Sequence, residues 1–113
     1  MSNEWTWHRE PVLVFTADVD WASDDAVRLN QKIFDDFDIP LTYFITHFSP
    51  YVGELLKERK IEAGIHPNFL PNSSQGSNFT EVIDYCARLL PEAECFRSHR
   101  YFDVTDITHE LYS

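Results

Sequence analysis

The sequence has few cysteines, few positive charges and no long hydrophobic run, and each shortage excludes a class of protein. Two cysteines, Cys86 and Cys95, are too few for a disulfide framework or a zinc ribbon, and we expect both to be buried as small apolar residues. The 9 Lys and Arg residues against 19 Asp and Glu give a net charge of −10, which repels phosphate backbones and argues against a nucleic-acid partner. No segment has the length of a signal peptide's apolar core or of a membrane span, so we expect a cytoplasmic protein.

The remaining composition indicates one packed domain over residues 1–113. Hydrophobic residues make up 43% of the chain and include 9 Phe, 5 Tyr and 3 Trp, which is enough apolar surface for a core. A length of 113 residues is close to the common size of an independent folding unit. The chain therefore has room for a single domain and no more.

Predicted strands and helices alternate along the chain, which is typical of a parallel sheet. Each strand is followed by a helix, in the order Val12–Thr16, Ser23–Phe37, Leu41–Thr46, a helix beginning at Ser49 and Pro50, Ile61–Ile65, Thr80–Leu90, Glu94–Arg97 and Val104–Tyr112. We predict an α/β fold of about four βα units, a parallel-stranded partial (β/α) barrel. Four units are too few to close a barrel of seven or eight strands, so one sheet edge should be open.

Two carboxylates, Asp18 and Asp20, follow the first predicted strand. Residues two apart on a strand point to the same face, and the carboxyl ends of parallel strands are where α/β folds bind ligands. Carboxylates that close together repel each other and need a cation or a shared proton. The spacing therefore predicts a metal site; the alternative is that one Asp caps the next helix and the other is solvated.

The other predicted strands also end in polar side chains, and these carry imidazole and guanidinium groups: Thr46 and His47, His66, and Arg97 with His99. Imidazole and carboxylate ligands suit Zn²⁺ and related divalent ions. Asp20, His66 and a further histidine would leave one position for water, as in catalytic zinc sites. Asp18 would then take a proton, and Arg97 would keep Asp18 ionised and oriented. Since histidines in loops are commonly just solvated, spacing alone leaves the metal site and chance both open.

Four segments resemble, in order, the motifs of the polysaccharide deacetylases, which form the NodB-homology superfamily and carbohydrate esterase family 4: Thr16–Trp21, Leu41–Thr46, Glu62–Phe69 and Phe96–His99. The resemblance runs from Val12 to about Phe102 and is nearest to a subgroup found in surface-polysaccharide gene clusters. It implies a metal-dependent hydrolase that removes N-acetyl groups from a sugar or polysaccharide precursor. It also implies roles: Asp18 as base, Asp20 and His66 as metal ligands, and Arg97 as the residue that orients the base.

The sequence departs from the family pattern in two places. The family's second motif has a further histidine four residues after the first, and Leu70 stands there in this chain. We predict His99 as the replacement ligand, with His47 and Asn68 as the next candidates. The family's later motifs have no match, so the chain resembles the N-terminal half of a barrel about twice its size. We therefore expect either a homodimer or a separate second half to cover the open edge.

Two other functions remain open at this level. An apolar strand ending in Asp-x-Asp, followed by a strand ending in Thr46, is also how haloacid-dehalogenase-like Mg²⁺-dependent phosphatases begin. Those enzymes need a later lysine, and no lysine follows Lys60. The third possibility is a non-catalytic fragment that binds metal or sugar or serves as an assembly partner, and it is supported by the absent later motifs.

Overall fold

The chain folds into a parallel sheet covered by helices, as shown by a computed structural model that describes residues 9–112. The elements follow in the order β1 (Phe15–Asp18), α1 (Asp24–Asp36), β2 (Leu41–Ile45), α2 (Pro50–Lys57), β3 (Glu62–Ile65), α3 (Phe79–Leu89), a 3₁₀ turn (His99–Tyr101) and α4 (Thr105–Leu111). The predicted α/β class, the alternation of strands and helices and the parallel direction of the sheet are confirmed.

The three strands lie in the order β1-β2-β3, and all pair in parallel. Asp18 is level with Phe44 on β2, and Phe44 is level with Gly64 on β3. The residues that follow the three strands therefore all lie at the carboxyl end of the sheet. This end carries the predicted site residues.

The predicted fourth strand over Glu94–Arg97 is wrong, because this segment makes one isolated bridge, between Phe96 and Ile65. Ile65 N donates to Cys95 O at 3.1 Å, and Arg97 N donates to Ile65 O at 3.0 Å. The chain then turns at Ser98 into the 3₁₀ turn, so no longer ladder can form. These two hydrogen bonds still attach the segment beside β3. Arg97 and His99 consequently lie at the carboxyl end of the sheet.

The first predicted strand, Val12–Thr16, is confirmed only in part, because Val12–Val14 lie outside β1 and the apolar run is exposed. The strand begins at Phe15, and before it Leu13 is 84% exposed and Val14 is 70% exposed. Within residues 9–112, β1 pairs with β2 on one side only, and its other edge has no neighbouring strand. An apolar run predicts burial only where the fold supplies a cover, and here the run lies at the open edge.

The helices begin where the sequence places their caps. Ser23 and Ser49 accept hydrogen bonds from Ala26 N and Val52 N, and Pro50 occupies the first turn of α2. α3 begins after Asn78, and α4 spans a slightly shorter range than predicted. The predicted starts of these two helices, at Ser23 and at Ser49, are confirmed.

The core lies between the sheet and the helices and is built from the side chains of β2 and β3 that alternate toward them. Its buried members include Leu41, Tyr43, Ile45, Val27, Val52, Leu55, Ile65 and Cys86. Burial raises the pKa of the Cys86 thiol to about 12. Cys95 is exposed, contrary to expectation, because it lies on the segment that failed to become an inner strand. Between residues 9 and 112, no helix is both long and apolar enough to cross a membrane.

Candidate metal centre

The turn after β1 places Asp20 at the carboxyl end of the sheet in an unusual backbone conformation. Asp20 and Trp21 have φ values of 46° and 59°, so two successive residues with side chains are left-handed. This conformation costs about 1–2 kcal/mol per residue. Trp21 N donates to Oγ1 of the buried Thr46 at 2.9 Å, and Ala22 N donates to Val19 O at 2.9 Å. These two bonds hold the turn so that the Asp20 carboxylate faces the end of β3.

His66, directly after β3, is held in one orientation by the sheet. Its side chain is only 1% exposed, and its backbone N donates to Ile45 O at 2.9 Å. Its Nδ1 lies 2.5 Å from Arg97 O, and since a carbonyl only accepts, Nδ1 carries the hydrogen. The other ring nitrogen, Nε2, faces Asp20. Metal-binding histidines are commonly oriented by such a second hydrogen bond.

Three possible metal-donor atoms meet at the carboxyl end of the sheet, one each from Asp20, His66 and His99. Asp20 Oδ1 lies 3.1 Å from His66 Nε2 and 3.3 Å from His99 Nδ1, and the two nitrogens are 3.4 Å apart. Ligand atoms bound to one tetrahedral zinc ion at 2.0–2.1 Å lie about 3.3 Å from one another. We call these three residues the metal cluster. Their chemistry and spacing fit a divalent ion, and without a cation or an added proton their lone pairs would repel.

Asp18 lies beside the metal cluster and is bound by a different partner. Its Oδ1 accepts a hydrogen bond from Arg97 Nη1 at 3.0 Å, while its Oδ2 is 3.7 Å from His66 Nε2. The same Arg97 nitrogen donates to Thr16 Oγ1 at 3.0 Å, and the guanidinium stacks over the Phe44 ring at 4.4 Å. The pair of carboxylates is thus divided: one faces the two imidazoles, and the other has its charge balanced by an arginine.

His99 reaches the metal cluster through the loop that follows β3. Its backbone N donates to Pro67 O at 2.8 Å, and its ring meets the His66 ring nearly perpendicularly, with centroids 5.3 Å apart. The other two candidate ligands lie elsewhere. His47 Nδ1 is 3.0 Å from Thr46 Oγ1, and Asn68 Oδ1 accepts from Leu70 N within its own loop.

Sequence reasoning missed Gln75, which is buried beneath the metal cluster. Its Nε2 donates to Thr46 O at 2.9 Å and to His66 O at 3.3 Å, and its Oε1 accepts from Asn68 N at 2.6 Å. One side chain therefore joins the ends of β2 and β3 to the long loop. A glutamine inside a polar Ser- and Asn-rich loop carries no sequence signal of such burial.

A model of the WbmS-like polysaccharide deacetylases matches residues 15–113. The chain belongs to this family. No protein with curated annotation matches it significantly.

A solved structure with the same fold comes from Bordetella bronchiseptica: WbmS, proposed to be a polysaccharide deacetylase involved in O-antigen biosynthesis, at 1.90 Å resolution. The sequences are 28% identical, and the TM-score is 0.76 over 85% of this chain. The match covers 40% of the WbmS chain, so this chain spans less than half the length of that relative. The fold is therefore that of part of a deacetylase domain.

Proposed function

We propose that the chain carries the metal-binding part of a zinc-dependent deacetylase that removes N-acetyl groups from a sugar or polysaccharide precursor. The observation that carries the proposal is the set of 3.1–3.4 Å separations among the three donor atoms of the metal cluster. Membership of a polysaccharide deacetylase family supports the substrate class. Neither the fold nor the family match supports the haloacid-dehalogenase-like alternative.

The donor set accounts for the choice of metal. One carboxylate and two imidazoles are ligands that zinc accepts, and three protein ligands leave a position open, as catalytic zinc sites do. A divalent ion held by Asp20, His66 and His99 would supply Lewis acidity toward the oxygen of the acetamido group.

Asp18 is the proposed general base, and its two oxygens have separate tasks. Oδ1 is held by Arg97 Nη1 at 3.0 Å, and this charge-assisted hydrogen bond fixes the orientation of the carboxylate. Oδ2 faces the metal cluster and is positioned to accept a proton from the water that attacks the acetamido carbon. Addition of that water, transfer of its protons to the amide nitrogen and cleavage of the carbon–nitrogen bond yield acetate and the protonated amine. In this scheme Arg97 orients Asp18 and Asp18 moves the proton.

The test begins with metal-free protein. Isothermal titration with Zn²⁺, followed by metal analysis after gel filtration, should show one zinc ion per chain, and acetate release from N-acetylated chito-oligosaccharides should depend on that zinc. Failure to retain zinc would contradict the proposed function. Retention of one zinc without acetate release would favour the non-catalytic, metal-binding alternative.

Self-association is a second part of the proposal. The open edge of β1 and the exposed Leu13, Val14 and Phe15 beside it form an apolar surface that monomers seldom leave uncovered. We expect two copies to pair through this surface, since two-fold dimers are the commonest assembly. Light scattering at physiological salt should give the mass of a dimer, and Leu13→Asp should give a monomer. A cooperatively unfolding wild-type monomer at tens of micromolar would contradict this expectation.

The cytoplasmic location also stays a prediction.

A further inference from the structure

An exposed aromatic residue adjoins the metal cluster. Trp21 directly follows Asp20, is 38% exposed, and its ring centroid lies 5.4 Å from that of His99 with the planes at 85°. A perpendicular contact with one neighbour occupies at most one face of an indole. An apolar surface is thus available at the rim of the cluster.

The backbone of Trp21 is held in a conformation that bulky side chains avoid. Its φ of 59° is left-handed, and it is maintained by the hydrogen bond from Trp21 N to the buried Thr46 Oγ1. Among residues 9–112, Trp21 belongs to neither of the two buried apolar clusters, so core packing does not account for a large aromatic here. Strained residues of this kind concentrate where ligands bind.

We propose that Trp21 is a substrate-positioning residue whose indole stacks on the pyranose ring of the N-acetylated sugar. A pyranose presents axial C–H groups on its faces, and these are apolar and attracted to the negative face of an aromatic ring. With the ring held there, the acetamido group of the same sugar can reach the metal cluster and Asp18 Oδ2. The inference rests on the proposed function and adds the residue that selects a sugar ring.

A fluorescence titration tests this contact directly. Replacing the chain's other tryptophans, Trp5→Phe and Trp7→Phe, leaves Trp21 as the sole indole. Titration of this protein with tri-N-acetylchitotriose, with and without added Zn²⁺, should then change the tryptophan emission in a saturable manner. The proposal would be overturned if the tryptophan emission did not change when the protein was saturated with sugar. It would also be overturned if calorimetry detected no sugar binding.

Variants separate stacking from folding. Trp21→Ala should weaken trisaccharide binding at least tenfold, and Trp21→Phe, which keeps a smaller aromatic face, should weaken it less. Both should bind zinc as the wild type does. Phe37→Ala is the matched control, because Phe37 is an exposed aromatic (72%) at the end of α1, away from the metal cluster. Equal sugar affinity in Trp21→Ala and wild-type protein would overturn the proposal.

Zinc binding is measured separately, so the two proposals can fail separately. Zinc retention without a Trp21 signal would refute the stacking role and leave the proposed function in place. A saturable Trp21 signal without zinc retention would support the stacking role and contradict the zinc-dependent function. If Trp21→Ala unfolds, the fluorescence titration, which keeps Trp21, still decides the question.

Discussion

The two sides of the metal cluster are built in different ways. His66 is 1% exposed, and its backbone and ring are both hydrogen-bonded to neighbouring segments. The Asp20 side chain is 50% exposed, and its position depends on a left-handed turn at the carboxyl end of the sheet. The histidine side is therefore part of the core, whereas the carboxylate side is attached to it by a strained turn. Loss of His66 should affect folding and metal binding together, and loss of the Asp20 carboxylate should affect metal binding alone.

The largest effect on zinc affinity is expected for His66→Ala. This change removes a proposed ligand and leaves a cavity in a fully enclosed position, so zinc affinity should fall by more than about 100-fold and stability by about 2–4 kcal/mol. Titration calorimetry and urea denaturation of the metal-free protein measure the two effects. The control is His47→Ala, which removes an imidazole outside the metal cluster and should leave zinc affinity unchanged. A fully stable His66→Ala protein would show that the histidine side is not part of the core.

Asp20→Asn should have the next largest effect. The amide keeps the shape but loses the negative charge, so zinc affinity should fall about 10- to 100-fold while the free energy of unfolding stays within about 0.5 kcal/mol of wild type. Asp38→Asn is a matched control, since Asp38 is also an exposed left-handed aspartate, with a φ of 52°. Destabilisation as large as that of His66→Ala would remove the proposed difference between the two sides.

Gln75→Glu tests whether the interior supports the histidine side. The new oxygen would face the carbonyls of Thr46 and His66, which now accept from the amide, so stability should fall by about 2–3 kcal/mol. Zinc affinity should fall about tenfold, as for other residues that orient a ligand. Gln31→Glu is the control, because Gln31 is equally buried but bonds to Asp35 and Tyr43. Equal zinc affinity in both folded variants would give Gln75 a purely structural role.

The smallest effect on zinc affinity is expected for Asp18→Asn, although its effect on catalysis should be large. The base is not a ligand in the proposed scheme, so zinc affinity should stay within about threefold, while acetate release should fall by about 10²–10⁴-fold. The comparison is made with Asp20→Asn under the same conditions. If both variants lost zinc equally, the roles of the two carboxylates would have been divided wrongly.

Local patterns predicted much of the fold and part of the arrangement of the candidate site. Side-chain caps at Ser23 and Ser49 act within a few residues, so the starts of α1 and α2 could be predicted from the sequence. Alternating strands and helices predicted the parallel sheet, and parallel pairing brings the carboxyl ends of β1, β2 and β3 to the same end of the sheet. The convergence of Asp20 and His66 follows from this topology.

Other features depended on contacts between distant segments. Nothing local distinguishes His99 from His47; His99 reaches the metal cluster because its backbone binds Pro67 O, 32 positions earlier, after a single bridge to β3. The burial of Gln75 likewise requires the ends of two strands to be in place.

By itself, the sequence determined the helix starts, the parallel α/β class and the types of side chain at the strand ends, because hydrogen bonds and side-chain periodicity act over short separations. Only the tertiary structure decided that Leu13 and Val14 are exposed, that Glu94–Arg97 makes one bridge and that Gln75 is buried against the ends of β2 and β3. The physical reason is the same in all three cases. Burial and strand pairing depend on which segment lies opposite, and that segment is distant in the chain.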